Sequence, residues 1–325
     1  MPLHSTDDSL LDRALPAAQF REVHATSAAA PGARGNRFLE RGVETLIRVH
    51  IVPGLGEIRL AHLTPADVQA FYAERQMHKL SAKTVRQIHA SLHRAVGQAV
   101  RQNILARNVV DLVDAPRAAR YDMQTLTSEE ARALLAAASD DRLESLYVLA
   151  VATGMREGEL FGLRWRDVDL DRAALSVRQT VARSHKGAFE FAEPKTAKSR
   201  RQISLAQSAI AALRSHRLRQ NAERLSVGPE WAKLDLVFTN ELGRPLSPTN
   251  LYRDSFRPLL KRAHLPQIRF HDLRHTAATL LLARNIHPKV VNEMLGHATV
   301  AITSTSTAMS PRPCRRRPRP PLTRF

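Results

Sequence analysis

Residues 269–280 have the sequence Arg-Phe-His-Asp-Leu-Arg-His-Thr-Ala-Ala-Thr-Leu, which combines an apolar pattern with cationic and proton-transferring side chains. Phe270 and Leu273 begin a series of apolar residues at intervals of three and four, the period of one helix face. His271 and Arg274 are three residues apart, so on a helix they share a face. We therefore predict a helix that packs on one side and presents a histidine and an arginine from another.

Three further strings carry residues of the same chemical kind. Arg156 lies in Thr-Gly-Met-Arg-Glu-Gly-Glu-Leu, Lys195 lies in Pro-Lys-Thr, and His297 closes Leu-Gly-His. Gly154 and Gly296 can end helices in a tight turn just before Arg156 and His297. Metal-free cleavage of a phosphodiester needs positive charge on the phosphate oxygens, a proton donor for the leaving oxygen and an in-line nucleophile. Arginine suits the first task because its fork of donors matches two phosphate oxygens.

From about Leu46 to Thr303, and on these four strings, the chain resembles the tyrosine recombinase (phage integrase) family. The resemblance implies a site-specific DNA recombinase or integrase that breaks and rejoins strands through a 3′-phosphotyrosyl intermediate. It implies double-stranded DNA as partner, self-association on that DNA, and no metal or other cofactor.

The resemblance also gives roles to individual residues. Arg156 and Arg274 clamp the phosphate, and Lys195 protonates the leaving 5′-oxygen. His271 takes the proton of the nucleophile, and His297 donates a hydrogen bond to the phosphate.

Four further residues are candidates for a role at the same site or for a structural role. Lys198 competes with Lys195 for the leaving-group role. Glu159 either orients the first clamp arginine or is an exposed helix acid. His275 and His287 are interpreted as structural.

The nucleophilic tyrosine is missing from the expected place. In the family it follows the last histidine by nine or ten residues, which here are Ser306 and Thr307, and every tyrosine of the chain comes earlier: Tyr72, Tyr121, Tyr147 and Tyr252. One hypothesis is a single-nucleotide deletion after the Thr303 codon, because one added base allows residues 304–310 to become Leu-Asp-Ile-Tyr-Ser-His-Val. The Arg- and Pro-rich tail agrees with a shifted frame, and a natural divergent terminus is the rival.

These observations leave three functions to weigh. The first is a recombinase that cannot cleave as written. The second is a non-catalytic DNA-binding remnant or regulator of a mobile element. The third is a zinc-dependent hydrolase, because His271 and His275 have the i, i+4 spacing of a zinc helix. Against zinc, Asp272 stands where that motif carries Glu, and Arg274 would place positive charge beside a dication.

Composition favours a polyanionic partner. The chain has 325 residues with 49 Lys+Arg against 31 Asp+Glu, a formal charge of +18. The single cysteine excludes an internal disulfide and fits a reducing compartment. No signal peptide is recognised, and the apolar run 146–152 is too short to cross a bilayer. We expect a bacterial cytoplasmic, nucleoid-associated protein without a membrane partner.

The predicted fold class is mainly α. An N-terminal helical DNA-clamping (core-binding) domain precedes a mixed α/β catalytic domain with a small antiparallel sheet, whose strand-like segments lie near 174–181 and 188–205. Capping signals at Thr64 and Thr127 mark helix starts in the two domains. The predicted segments are an uncertain 1–42, a core-binding domain 43–115, a linker 116–124, a catalytic domain 125–303 and a disordered basic tail 304–325.

The helix that begins near Ser81 carries the candidate DNA contacts of the first domain. Its apolar residues recur every three to four positions, and its other faces are basic. The predicted DNA-binding residues are Lys83, Arg86, Arg94 and Arg101.

Overall fold

The computed structural model describes residues 37–117, 123–183, 188–193 and 200–296. The predictions made for Lys195, Lys198, His297, Ser306 and Thr307 lie outside these residues. The chain divides into two compact units, one ending at Tyr121 and one beginning at Asp122, and each is described by itself.

The regular structure in the described part of the first unit is helical. Its helices are α1 (Arg37–Leu46), α2 (Val52–Leu55), α3 (Pro65–Met77) and α4 (Ala82–Arg101). A π-helical turn, Ile47–Ile51, joins α1 to α2, and 3₁₀ turns occupy Leu60–His62 and Val109–Leu112. α1 begins at Arg37, inside the segment 1–42 for which the sequence gives no clear helix signal.

Capping and amphipathicity account for α3 and α4. The Thr64 hydroxyl accepts a hydrogen bond from the Asp67 amide at 3.2 Å, and the Asp67 carboxylate accepts one from the Thr64 amide at 3.0 Å. The predicted cap of α3 is therefore confirmed as a capping box. α4 buries Val85, Ile88 and Leu92 in the core of this unit, which leaves its basic residues on the outside.

The second unit starts with three helices and continues into strands. α5 (Ser128–Ala137) begins at the predicted Thr127 capping box, and α6 (Glu144–Thr153) and α7 (Glu157–Phe161) follow. The strands are β1 (Val168–Asp169), β2 (Ala174–Val177), β3 (Thr180–Arg183), β4 (Phe189–Ala192) and β5 (Arg201–Ser204).

Helices return after the last strand. They are α8 (Gln207–Val227), α9 (Pro248–Asn250), α10 (Arg257–Arg262), α11 (Asp272–Ala283) and α12 (Pro288–Leu295), with a π-helical turn Leu251–Phe256 between α9 and α10. The mainly helical class with small antiparallel sheets is confirmed. Within the residues that the structure describes, no helix is long and apolar enough to cross a membrane.

The strands form two small antiparallel sheets, in the orders β1-β2-β5 and β3-β4. Leu175 pairs with Ile203 in the first sheet, and Val181 pairs with Phe191 in the second. The predicted segment 174–181 is broken between β2 and β3, where Gln179 donates a hydrogen bond from Nε2 to the Gly162 carbonyl at 2.8 Å. The segment 188–205 likewise spans two strands, β4 and β5, which belong to different sheets.

The core of the second unit surrounds α6. This helix is apolar on nearly every side, and Leu146, Tyr147 and Leu149 are fully buried. Tyr147 stacks on Phe256 with ring centroids 5.9 Å apart and also meets Phe270, the residue just before the His271–Arg274 string. The core therefore holds the start of α11 against α6, whose C-terminal end leads to Arg156.

Candidate functional site

Arg156 is placed by the turn between α6 and α7. Gly154 ends α6 with φ +60°, in the left-handed region that a glycine adopts without strain. Arg156 is then the N-cap of α7, and its amide donates to Glu159 Oε2 at 2.9 Å. Its guanidinium reaches the same carboxylate, with Nη1 2.9 Å from Glu159 Oε1. Side-chain and backbone contacts thus fix this arginine from both ends, while the side chain keeps 39% exposure.

Arg274 reaches the same turn from α11. Its Nη1 donates to the Gly154 carbonyl at 2.7 Å, and its residue exposure is only 3%. Burial, together with the charge of Arg156, lowers the pKa of Arg274 to about 9. The side chain therefore stays protonated at neutral pH. Two cations are held close together here despite their mutual repulsion.

The C-terminal end of α12 joins the two arginines. Gly296 terminates this helix with φ +67°, as the sequence predicts for a glycine at that position. Arg274 Nη2 donates to the Leu295 carbonyl at 2.6 Å, and Arg156 Nη2 donates to the Gly296 carbonyl at 3.1 Å. Carbonyls of the last turn have no partner inside a helix, and cations at that end are favoured by the helix dipole. Leu295 and Gly296 of the Leu-Gly-His string are thus bound by the two arginines to which the resemblance gives a clamping role.

Glu159 lies at the centre of this arrangement and is 5% exposed. Burial alone would raise the pKa of its carboxyl group, but the hydrogen bonds and charge of Arg201, with those of Arg156, lower that pKa overall. The alternative of an exposed helix acid is therefore wrong for Glu159. Its buried carboxylate contacts the arginine that the sequence interpretation expected it to orient.

Arg201 is the residue of this cluster that the sequence interpretation missed. It lies on β5, and its Nη2 and Nη1 donate to the two Glu159 carboxylate oxygens at 2.8 and 3.1 Å. The only sequence signal was strand alternation: Ile203, two residues later on the same strand face, is buried. Arg201 therefore points inward, whereas Arg200 beside it is 62% exposed.

His271 and His275 lie at the start of α11. His271 is the N-cap residue and is exposed, while Arg274, on the same helix, is buried. The two imidazole rings meet edge to face, with centroids 5.4 Å apart. Partial desolvation of the two rings lowers the pKa of both histidines, and neighbouring positive charges contribute in the same direction. Both imidazoles are therefore neutral at pH 7, the form in which a histidine can accept a proton.

The surroundings of Asp272 bear on the zinc interpretation. Asp272 is fully buried, and its carboxylate accepts hydrogen bonds from the Arg269 amide at 2.9 Å and from Arg269 Nη2 at 2.8 Å. Among the described residues, no group of three or more His, Cys, Asp or Glu side chains could hold a metal ion. The pair His271 and His275 therefore gains no third ligand there.

Lys195 and His297 lie outside the described residues, but their flanks are defined. Lys195 falls between β4 and β5, which pair with β3 and β2 respectively and not with each other. The described strands on either side of Lys195 therefore belong to different sheets. His297 follows Gly296, whose carbonyl contacts Arg156.

The four predicted DNA contacts of the first unit share one face of α4. Their spacings of 3, 8 and 7 residues place them within about 80° around a helix of 3.6 residues per turn, along roughly 27 Å of its axis. All four are exposed, and no acidic side chain in the described residues forms an ion pair with them. This cationic face of α4 consists of Lys83, Arg86, Arg94 and Arg101. Its charge is therefore available to an external anion.

The described tyrosines differ in their surroundings. Tyr72 and Tyr147 are almost completely buried, and their hydroxyl groups contact His89 at 3.1 Å and Ser255 at 2.6 Å. Burial raises the pKa of both phenols above the ordinary value. Tyr252 is 37% exposed and packs on Phe256.

The chain is similar to several known proteins. The sequence profile of the phage integrase family matches residues 124–311. A tyrosine recombinase XerC-like protein of Caldanaerobacter subterraneus subsp. tengcongensis is 30% identical over 264 residues, covering 76% of this chain and 67% of the relative. An integrase of Streptomyces ambofaciens is 31% identical over 271 residues, covering 79% of this chain and 68% of the relative.

A solved structure of the Tn1549 transposon integrase, in complex with transposon right end DNA, has the same fold. Its TM-score is 0.75 at 23% identity, and the match covers 90% of this chain and 95% of that one.

Proposed function

The chain belongs to the phage integrase family, and from this premise we propose that it binds duplex DNA as a site-specific recombinase whose strand-cleavage step is missing. Arg156 and Arg274 hold the scissile phosphate, and Lys195, His271 and His297 handle protons and hydrogen bonds around it. The first unit is the core-binding domain and the second is the catalytic domain.

The observation that carries this proposal is the meeting of the two arginines at the end of α12. Arg156 and Arg274 come from different helices and donate to adjacent carbonyls, those of Gly296 and Leu295. Each guanidinium has five N–H donors. The bonds within the described residues occupy two nitrogens of each group, so Arg156, which is partly exposed, retains donors for a phosphate oxygen.

The chemistry of the site follows from charge and reach. As the phosphorus becomes five-coordinate, the two arginines stabilise the additional negative charge on its oxygens. The neutral imidazole of His271 can accept a proton from a nucleophile. Ser306 and Thr307 carry short aliphatic hydroxyl groups in place of a phenol, so the clamp binds a phosphate without an attacking group.

A second candidate function is DNA binding without chemistry, as a remnant or regulator of a mobile element. The cationic face of α4 favours it because this face needs no nucleophile. Both functions place the protein on cytoplasmic, nucleoid DNA, where it self-associates as the family implies. They differ in whether restoring the nucleophile restores cleavage.

DNA binding is tested by measuring the affinity of the full chain for a duplex at several salt concentrations. Each phosphate contact contributes about −0.9 to the slope of log K against log salt. The double variant Arg86→Gln/Arg94→Gln should reduce the slope by about 1.8. The matched control Lys79→Gln/Arg107→Gln removes two exposed charges of the same unit from outside the cationic face and should change the slope less. An affinity that does not depend on salt contradicts the proposal.

Cleavage is tested on a nicked duplex that traps covalent protein–DNA adducts, resolved on a denaturing gel. The protein as written should form no adduct, with or without added divalent metal. Any adduct would overturn the missing cleavage step, and a Tyr252→Phe variant would then show whether Tyr252 or another residue supplies the nucleophile. Metal-dependent cleavage would revive the hydrolase alternative.

A further inference from the structure

Three consecutive carbonyls at the end of α12 are each bound by a different arginine. Arg274 binds that of Leu295, Arg156 binds that of Gly296, and Arg201 Nε donates to that of Met294 at 2.6 Å. We propose that Arg201 is a positioning residue of the phosphate site, which holds Glu159 and the last turn of α12 so that Arg156 faces the phosphate. This inference rests on the proposed function.

The guanidinium of Arg201 connects two elements that otherwise approach the site separately. Two of its nitrogens grip the Glu159 carboxylate as a fork, and the third binds the helix end. A side chain added at Gly296 would stand 3.1 to 3.3 Å from three Arg201 atoms, so the guanidinium lies directly against the helix-ending glycine. Arg201 thus fixes both the acid that holds Arg156 and the residue that precedes His297.

Arg201 acts through these neighbours and not on DNA. Its side chain is 7% exposed, against 39% for Arg156, so it offers little surface to a duplex. A lysine in its place would keep the charge but would be a point donor unable to span the carboxylate and the carbonyl with one planar fork. The position therefore requires the shape of arginine in addition to its charge.

Loss of Arg201 should change the state of Glu159. Burial opposes ionisation of this carboxyl group, and Arg201 provides most of the compensation. Without it, Glu159 either takes up a proton, which weakens its hold on Arg156, or draws the Arg156 guanidinium more tightly onto itself. Both outcomes move Arg156 away from the phosphate.

The test is a double-mutant cycle on DNA affinity in the full chain. Arg201→Lys and Arg156→Gln should each weaken binding about tenfold, the loss expected for one charged hydrogen-bonded contact. Each should reduce the salt slope by about 0.9, because each removes the same Arg156–phosphate contact. The double variant should bind no more weakly than Arg156→Gln alone. The matched control Arg200→Lys makes the same change at the neighbouring, exposed position and should bind within about twofold of wild type.

The inference is overturned if Arg201→Lys binds DNA like wild type, or if the losses add in the double variant. Folding is monitored by the fluorescence of Trp165 and Trp231, the two tryptophans of the chain, both in the second unit. If Arg201→Lys shows a shifted unfolding transition, Arg201→Gln/Glu159→Gln replaces it, since this pair leaves no buried charge unpaired. That variant should be more stable than Arg201→Gln and still bind DNA weakly, and wild-type affinity in it contradicts the proposal.

Failure of the two proposals can be told apart. The proposed function requires that the wild-type chain bind DNA in a salt-dependent manner. If the chain does not, the proposed function fails, and the positioning role of Arg201 is then tested by the unfolding measurements. Restored stability on adding Glu159→Gln to Arg201→Gln then supports the coupling, and unchanged or lower stability rejects it.

Discussion

Replacing Gly154 by alanine should destabilise the second unit by about 2–5 kcal/mol. The residue has φ +60°, where a side chain costs about 1–2 kcal/mol. Its new Cβ would collide with Leu295 Cδ2 and stand 3.2 Å from the Ala277 Cβ. Overpacking of a filled core adds about 1–3 kcal/mol. Because the Gly154 carbonyl also accepts from Arg274, the same change should disturb the proposed phosphate site.

The assay is equilibrium denaturation in urea followed by tryptophan fluorescence, which reports the second unit because both tryptophans lie there. Gly97→Ala is the matched control. Gly97 is inside α4, and a Cβ there meets only the Asn108 Nδ2 atom, at 3.5 Å. The control should leave the fluorescence transition unchanged. It should stabilise the first unit by about 0.5–1 kcal/mol, as measured by circular dichroism. A Gly154→Ala transition within about 0.5 kcal/mol of wild type would refute the close approach of α6 to α11 and α12.

Three other predictions concern acid stability, capping and the nucleophile. Burial lowers the pKa of His216, whose Nε2 donates to the Val237 carbonyl at 2.7 Å and whose Nδ1 is buried with no partner among the described residues. As the pH falls, the His216 imidazole is therefore protonated in the unfolded chain before it is protonated in the folded chain. The free energy of unfolding has its full value above about pH 6.5 and decreases below that pH by up to about 1.4 kcal/mol per pH unit. Urea unfolding should show that the free energy of unfolding decreases less between pH 7.5 and 5.5 in His216→Gln than in wild type. Equal decreases in the two proteins would contradict this. Thr127→Ala removes the cap of α5 and should lower the free energy of unfolding followed by fluorescence by about 0.5–2 kcal/mol. Thr64→Ala, the equivalent change in the first unit, should leave the fluorescence transition unchanged. Restoring the frame after Thr303, so that position 307 is tyrosine, should recover a covalent adduct with DNA carrying the recombination site, because a phenol is more readily deprotonated than an aliphatic hydroxyl. Thr307→Tyr alone should do less, and a restored protein that folds and binds this DNA without forming an adduct would show that the clamp residues are wrongly assigned.

The sequence by itself determined the features that depend on neighbouring residues. The caps at Thr64 and Thr127 were predictable because a capping box needs only residues three apart. The helix ends at Gly154 and Gly296 were predictable because glycine enters the left-handed region at little cost. The family was evident from short strings around the arginines and histidines, and the sequence profile confirms it.

The tertiary structure alone decided which of these residues meet. No local pattern indicates that Arg156, Arg201 and Arg274 bind three successive carbonyls, because the contacts join residues far apart in the chain. Strand alternation with Ile203 distinguishes Arg201 from its neighbour Arg200, but only the pairing of β5 with β2 brings Arg201 to Glu159. The separation of β4 from β5 was likewise invisible, since strand propensity does not say which strand a segment pairs with. The tertiary structure also determines the charge state of Glu159, because its buried carboxylate stays charged only where the fold surrounds it with guanidinium groups.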